Sequence, residues 1–152
     1  MEITFLPYTK NLGSNPEMII TECCVRPVNS SEAGTTVNAL WDTGANRSMI
    51  SSDLASMMGL VPFRHINSHS TNGISRKPVY QVAIMLPNGA GLPKLNVVEG
   101  HFDGHDIIIG MDIISLHDFA LTHNQAGELI LSIVFPPLNK PLDYSPLANQ
   151  QS

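Results

Sequence analysis

The chain has 152 residues and a formal net charge of −5, and this length predicts one domain with its own core. The eight Lys and Arg residues are scattered, so there is no basic stripe to neutralise phosphates, and we expect no nucleic-acid partner. No apolar stretch approaches the roughly 20 residues of a membrane span, and residues 1–10 do not resemble a signal peptide. We therefore expect no membrane partner and a cytoplasmic location, although a piece of a larger polyprotein would look the same.

The composition favours a β protein that is rich in turns. Charged residues make up 14% of the chain, and glycine and proline occur 11 times each, which does not suit a helical bundle. Residues 1–17 are predicted to form an irregular arm or an edge strand. Cys23 and Cys24 are adjacent, so a bond between them would be strained, and we expect two free thiols in a strand.

The next predicted element is a strand that runs into an Asp-Thr-Gly-Ala loop. Thr35–Trp41 is rich in β-branched residues and alternates as a half-buried strand does. The tripeptide Asp42-Thr43-Gly44 occurs once, followed by Ala45. Thr43 is short enough to turn its hydroxyl toward neighbouring backbone, and Gly44 permits close approach and unusual dihedral angles. By itself, the tripeptide is also compatible with an ordinary turn.

A short helix is predicted soon after this loop. Residues 47–60 begin with a short apolar stretch and continue with a helical pattern. Ser51 or Ser52 is suited to cap the start of the helix, and Gly59 is suited to close it in the left-handed conformation. Asp42 is therefore expected on a loop between strands.

A hairpin is predicted within residues 68–80. Asn72-Gly73, followed by Ile74, is a strong hairpin signal, and its neighbours are small and polar. The hairpin is equally compatible with a surface turn and with a mobile lid. A second turn, at residues 86–91, is predicted to be a connection.

The six histidines raise the question of a metal site. His65 and His69 are four residues apart, as are His101 and His105. Outside a helix this spacing does not aim two rings at one ion, and glycines surround the second pair. We expect no bound metal and no cofactor.

A buried strand is predicted at residues 107–109. Three isoleucines end at Gly110, and such runs are typical of strands covered on both faces. Asp112 is then predicted to cap a short helix that continues through Phe119. Taken alone, this segment is compatible with ordinary core packing.

The chain end is predicted to be a strand followed by a loose tail. Leu129–Phe135 is strongly apolar and stops at two prolines. The polar, proline-rich residues 138–152 are expected to be loose. The predicted organisation is thus an arm at 1–17, a domain at 18–137 and a tail at 138–152.

The order of these motifs resembles the retropepsin-like aspartic proteases. The resemblance rests on the strand that enters Asp-Thr-Gly-Ala, the glycine-bearing hairpin, and the later sequence Ile108-Ile109-Gly110-Met111-Asp112. It covers roughly residues 18–135. It implies an all-β fold with a closed, barrel-like sheet, a flap hairpin and one short C-terminal helix. It also implies a symmetric homodimer, since the chain has about half the length of a monomeric relative with two motifs.

The resemblance also implies roles for particular residues. Asp42 is implied as the catalytic carboxylate, with Thr43, Gly44 and Ala45 supporting the active-site loop. The flap residues that contact substrate are implied at Asn72, Gly73 and Ile74. Gly110 and Asp112 are implied as a structural motif.

The chemistry of carboxylates explains why one motif is half of a site. Two carboxylates about 3 Å apart do not both ionise, so they share a proton and act as general acid and general base together, as in aspartic proteases generally. One chain supplies one such loop, so the second carboxylate must come from a second copy. Ala45 donates no hydroxyl hydrogen bond to the carboxylate, so we expect the shared proton to stay bound to a higher pH than with serine there.

Two positions depart from the pattern of many viral members. These members have an acidic residue where Asn46 stands and an arginine where Met111 stands, and the two form an ion pair that supports the dimer. Both positions are uncharged here, and losing both partners avoids an unmatched buried charge. The chain resembles cellular and bacterial members more than viral ones.

The sequence therefore predicts an aspartic endopeptidase that cleaves peptide or protein substrates as a homodimer. An alternative is a dimerisation or peptide-binding module with the same fold and no useful turnover, suggested by bulky Trp41 before Asp42 and by the uncharged Asn46 and Met111. A further alternative is a structural β domain whose Asp-Thr-Gly is only a turn.

Overall fold

The computed structural model describes residues 2–150, and within them the fold is all-β, as predicted. The helical elements are two short α-helices, α1 (Ser52–Met57) and α2 (Met111–Ile114), and a 3-10 helix at Ser145–Gln150. The strands are β1 (Leu6–Gly13), β2 (Ile20–Pro27), β3 (Thr35–Trp41), β4 (Met49–Ser51), β5 (Arg64–Ser70), β6 (Gly73–Met85), β7 (Gly91–Gly100), β8 (Ile107–Ile109), β9 (Asp118–His123) and β10 (Leu129–Phe135).

The larger sheet closes on itself, which confirms the predicted barrel-like form. Its strand order is β2-β3-β8-β4-β7-β6-β5, and β6 pairs back with β2. Most neighbours are antiparallel, but β3 pairs with β8 in parallel, and so does β4 with β7. The strand that carries the Asp-Thr-Gly loop therefore lies directly beside the strand that leads to Gly110.

The smaller sheet joins the two ends of the chain in the order β1-β10-β9. β1 is an edge strand that pairs antiparallel with β10 along its length. The Asn88 side chain, in the turn after β6, donates a hydrogen bond of 3.1 Å to the Leu6 carbonyl and so ties β1 to the barrel. Residues 6–13 thus form an edge strand with a register shift between Asn11 and Gly13, whereas the domain boundaries at 17 and 137 stay predictions.

The core lies inside the barrel and is built by the alternation seen in the sequence. Val37, Ala39 and Trp41 of β3 are buried, and so are Ile107 and Ile109 of β8. Each fully buried Val or Ile side chain contributes about 1.5 to 3 kcal/mol to stability relative to an exposed one. The β3 end that leads to the Asp-Thr-Gly loop is therefore firmly anchored.

Helix α1 has the predicted caps. The Ser51 hydroxyl accepts a hydrogen bond of 3.1 Å from the Leu54 backbone N–H, and Gly59 adopts a positive φ of +61° after the helix. No helix among residues 2–150 has the length and apolar character needed to cross a membrane.

Helix α2 differs from the prediction at both ends. Its N-cap is Gly110, which makes no side-chain cap bond, and Asp112 lies within the helix, so Asp112 as the cap is wrong. The helix ends at Ile114 instead of Phe119. Phe119 belongs to β9, where it pairs with Ile133, and this strand pairing outweighs continuation of the helix.

The predicted hairpin is present as β5 and β6, with its tip one residue earlier than Asn-Gly implies. Ser70 pairs with Gly73, so Thr71 and Asn72 form the loop and Gly73 is the first residue of β6, at φ +114°. Residues 71–76 are all exposed, so the tip extends away from the barrel. Cys23 and Cys24 are free thiols in β2, as predicted.

Candidate active site

Asp42 directly follows β3 and is held by the neighbouring strand. Its backbone N–H donates to the Ile109 carbonyl at 2.9 Å, and the preceding Trp41 pairs with Ile109 in the sheet. The Trp41 indole N–H donates a hydrogen bond of 2.8 Å to the buried Thr21 hydroxyl. The chain therefore reaches Asp42 through a fixed strand end.

The residues after Asp42 form a tight turn that orients its carboxylate. The Ala45 N–H donates to the Asp42 carbonyl at 3.2 Å, and the Gly44 N–H donates to Asp42 Oδ1 at 2.8 Å. A Cβ on Gly44 would lie 3.1 Å from that oxygen, so glycine avoids crowding the carboxylate. Thr43 and Gly44 are exposed and Asp42 is half-buried, which leaves this turn at the surface of the single chain.

The loop after Asp42 crosses the turn at Gly110 in direct backbone contact. The Met111 N–H donates to the Ala45 carbonyl at 2.7 Å. A Cβ on Gly110 would lie 2.7 Å from the Arg47 carbonyl carbon and 2.8 Å from the Ala45 oxygen. Glycine at this position is therefore required by the close approach of two backbone segments.

Ser48 and Asp112 bond the two crossing segments together. The Ser48 hydroxyl donates to Asp112 Oδ1 at 2.7 Å and accepts from the Gly110 N–H at 3.1 Å. The Ser48 N–H donates to Asp112 Oδ2 at 3.0 Å. Because both Asp112 oxygens accept bonds from Ser48, the Asp112 carboxylate holds the crossing, whereas the Asp42 carboxylate accepts its bond within its own turn.

An apolar stripe lies on the outer face of the sheet beside Asp42. Leu40 pairs with Ile108, and Ile108 pairs with Met49, so the three side chains point to the same side. Each is half-buried, whereas their strand neighbours on the opposite face are buried. Neither this stripe nor the bonds of Ser48 could be predicted from the sequence. Three consecutive isoleucines do not indicate in the sequence that Ile108 is less buried than Ile107 and Ile109. Ser48 could not be predicted because its partner Asp112 lies 64 residues away.

The predicted site residues form two groups in the structure. The first unites Asp42, Thr43, Gly44 and Ala45 with Gly110 and Asp112 at the crossing. The second group, Asn72, Gly73 and Ile74, lies at the exposed tip of the β5–β6 hairpin.

The histidines have separate surroundings. His101 Nδ1 lies 3.0 Å from the Ser52 hydroxyl, and the His105 ring stacks on Phe102 with centroids 4.7 Å apart. Among the residues that the structure describes, no three His, Cys, Asp or Glu side chains are grouped as a metal site requires.

Comparison with known proteins identifies the family. A sequence model described as gag-polyprotein putative aspartyl protease matches residues 28–115. The chain belongs to this family. The match covers more than half of the chain and includes both the Asp-Thr-Gly-Ala loop and Gly110. No curated protein sequence matches the chain.

Solved structures similar to this aspartyl protease family member include a retropepsin-like protease. A retropepsin-like aspartic protease from Rickettsia conorii has a TM-score of 0.56 at 14% identity, with 88% of this chain and 97% of that chain covered. Simian Foamy Virus (mac) protease matches with a TM-score of 0.49 at 16% identity, covering 64% of this chain and 92% of that one. The retroviral protease-like domain of Ddi1 from Leishmania major has a TM-score of 0.46 at 18% identity, covering 68% and 79%.

A Cβ at Gly110 tests the backbone crossing of this family member. Because the added atom would lie 2.7 to 2.8 Å from the Arg47 and Ala45 backbone, Gly110→Ala should lower the free energy of unfolding by about 1 to 3 kcal/mol. Chemical denaturation at fixed protein concentration measures this. The control is Gly91→Ala, since nothing lies within 4 Å of a Cβ there. Equal stability of the two variants would contradict the tight crossing.

Removal of the Ser48 hydroxyl tests the bonds across the crossing. Ser48 is fully buried, so Ser48→Ala leaves the Gly110 N–H and one Asp112 oxygen without this partner and should cost about 2 to 4 kcal/mol of stability. Exposed Ser56 in α1 provides the control, and Ser56→Ala should change stability by less than about 0.5 kcal/mol. A loss for Ser48→Ala as small as the control would show that the hydroxyl does not hold the crossing.

Proposed function

We propose that this protein is an aspartic endopeptidase that works as a homodimer, with Asp42 of each copy facing one water. The observation that carries the proposal is the half-buried Asp42 carboxylate, which is oriented by the Gly44 N–H on an exposed turn. The crossing beneath it, held by Ser48 and Asp112, keeps this turn in one geometry. Membership of the aspartyl protease family supports the same assignment.

The second carboxylate is assigned to a second copy of the chain. The sequence has one Asp-Thr-Gly. Asp112, the other acidic residue at the crossing, accepts hydrogen bonds from Ser48 at both carboxylate oxygens. The exposed Thr43 and Gly44 offer a surface on which a matching turn can pack. Two-fold symmetry would then bring the same residues of both copies together at one point.

In the proposed reaction the two Asp42 carboxylates share one proton. The ionised one accepts a proton from the water as it attacks the peptide carbonyl carbon, and the protonated one donates to the carbonyl oxygen. The resulting tetrahedral species collapses with cleavage of the C–N bond and protonation of the leaving amine. This cycle requires no covalent intermediate and no cofactor.

The dimer face is expected to be apolar beside the active-site turn. Met111 is 38% exposed and lines the same cavity as Thr43. An exposed methionine at position 111 suits a flexible apolar contact between copies. It would replace the ion pair described above for many viral members. Asn46 is exposed and uncharged in the same loop, which agrees with a contact that does not depend on charge.

The proposed substrates are peptides in extended conformation with apolar side chains near the cleaved bond. The stripe of Leu40, Ile108 and Met49 offers an apolar surface beside Asp42. The tip of the β5–β6 hairpin, with Gly73 and exposed Ile74, is assigned as the flap. A lid of this kind excludes water and offers backbone groups to an extended peptide.

The alternative function is a dimeric peptide-binding module without turnover. Bulky Trp41 before Asp42 and the uncharged Asn46 and Met111 favour it, because they are unusual surroundings for the motif. Under this alternative, peptides bind but are not hydrolysed at any pH, and Asp42→Asn leaves peptide binding unchanged.

Subunit mixing tests the shared site. Wild type and Asp42→Asn protein, mixed and re-equilibrated, form three dimers, of which one has two Asp42 carboxylates. We expect peptidase activity to follow the square of the wild-type fraction, so an equal mixture retains about one quarter of the activity of the same total amount of wild type. Mixing with Asp53→Asn, a change at an exposed acid in α1, should leave activity unchanged. A linear dependence after confirmed exchange, or hydrolysis by pure Asp42→Asn protein, would overturn the proposal.

A second test concerns the flap. Gly73 has φ +114°, a conformation that valine rarely adopts, so Gly73→Val should distort the hairpin tip and reduce turnover about tenfold or more. Gly89, at φ +83° in another turn, provides a control with a similar backbone strain. We expect Gly73→Val and Gly89→Val to lose similar stability while only the first loses turnover. Equal turnover in the two variants would place the flap elsewhere.

A further inference from the structure

The imidazole of His117 is enclosed by aromatic rings below the active-site loop. His117 is 8% exposed. The Trp41 ring lies at right angles to it, with centroids 6.2 Å apart, and the Phe135 ring lies at 5.4 Å. His117 and Thr43 also line the same cavity of about 1020 Å³. The ring therefore packs directly against the residue that precedes Asp42.

The surroundings of the two ring nitrogens of His117 favour a neutral ring. Its Nδ1 lies 3.0 Å from the Ile113 carbonyl oxygen, and because a carbonyl oxygen only accepts, Nδ1 must carry the hydrogen. The neutral ring then has a lone pair on Nε2. Nε2 is buried and has no hydrogen-bond partner among residues 2–150, so a proton there would create a buried donor and a charge that no neighbour matches.

Among residues 2–150, no charged side chain forms a hydrogen bond to the His117 ring. β3 and β10 contain no charged residue. Near α2, Asp112 accepts from Ser48, and at the start of β9 the Asp118 carboxylate accepts from the Leu138 N–H at 2.8 Å. Asp42 accepts from the Gly44 N–H, and Lys140 lines the cavity.

Burial lowers the pKa of His117 below its ordinary value, against the smaller opposing effect of the bond to Ile113. In the unfolded chain the imidazole protonates near its reference pKa of about 6.5. Between that pH and the lower pKa of the folded chain, the unfolded state binds more protons, so stability falls as the pH falls. Above about 6.5 both states are neutral at this position, and the full stability is present.

Trp41 lies between His117 and the active-site turn. Its indole N–H donates a hydrogen bond to the Thr21 hydroxyl, and its ring centroid lies 5.8 Å from that of Phe119. Its backbone continues into Asp42. A displaced Trp41 would release the strand end whose pairing with Ile109 holds Asp42.

We propose that His117 is a positioning residue that holds Trp41, and through it Asp42, only while its imidazole is neutral, and that it thereby sets the acid limit of the site. The effect on Trp41 is independent of the proposed peptidase function, whereas the effect on turnover rests on it. The site would then lose its geometry on the acid side of about pH 6.5.

Trp41 is the single tryptophan of the sequence, so its fluorescence reports this contact without an activity assay. The measurement is a pH titration of Trp41 emission in wild type, His117→Phe and His123→Asn. Phenylalanine keeps an aromatic ring and does not titrate, and the Ile113 carbonyl retains the Leu116 N–H as a donor at 3.0 Å. His123, at the exposed end of β9, is the control.

We expect wild type and His123→Asn to show the same acid transition in Trp41 emission, below pH 6.5. The midpoint in His117→Phe should lie lower by about half a pH unit or more, because the remaining transition depends on carboxylates. If His117→Phe fails to fold, His117→Asn, which keeps a donor near the Nδ1 position, serves in its place. The same midpoint in wild type and the folded His117 variant would overturn the proposal, and so would an equal shift in His123→Asn.

The acid limb of peptidase activity separates this inference from the proposed function. With both correct, the acid limb of the pH–rate profile moves in the same direction as the Trp41 midpoint in the His117 variant. Absence of hydrolysis in wild type, together with a shifted Trp41 midpoint, would refute the peptidase function and leave the role of His117 at Trp41 supported. A shifted midpoint with an unmoved acid limb would show that His117 does not act on Asp42.

Discussion

The backbone crossing at Gly110 is the constraint on which the rest of this structure depends. Two segments from distant parts of the chain approach too closely for any Cβ at Gly110. Ser48 and Asp112 join them through three hydrogen bonds, counting the one to the Gly110 N–H. Hydrogen bonds to a charged group contribute about 1.5 to 3 kcal/mol each when the groups are well placed. The crossing also lies at the ends of β3 and β8, which pair in parallel, so it adjoins the strand end that leads to Asp42.

A rigid crossing has a direct consequence for a site that is proposed to be shared between two chains. Two carboxylates must meet within about 3 Å to share a proton, and errors in the position of each turn would add together. Backbone bonds from Gly44, Ala45 and Met111 remove much of that freedom before any second copy arrives. The β5–β6 hairpin is different, because residues 71–76 at its tip are exposed. The fold thus combines a fixed floor with an exposed hairpin, and the proposed function uses both.

Features with local causes could be predicted from the sequence. Alternation gave Thr35–Trp41 with both ends correct, and the Ser51 cap follows from a hydroxyl that reaches the N–H three residues later. Family resemblance added the closed sheet, which no local pattern contains. The catalytic role of Asp42 and the flap role of Gly73 stay predictions.

Features that depend on distant partners could not be predicted. Ser48 is a polar residue in an apolar stretch, and its burial makes sense only beside Asp112. Helix α2 stops early because Phe119 pairs with Ile133 on another strand. The burial of His117 depends on rings from β3 and β10, and nothing near His117 in the sequence indicates them.

The central claim is that one active site contains one Asp42 from each of two chains, and the stoichiometry of a transition-state mimic tests it most directly. A peptide analogue with a hydroxyl in place of the tetrahedral carbon should bind between the two carboxylates and more tightly than the matching substrate. Calorimetric titration should saturate at one analogue per two chains, and Asp42→Asn protein should lose this tight binding. Saturation at one analogue per chain, or unchanged tight binding by the Asp42→Asn protein, would contradict the account.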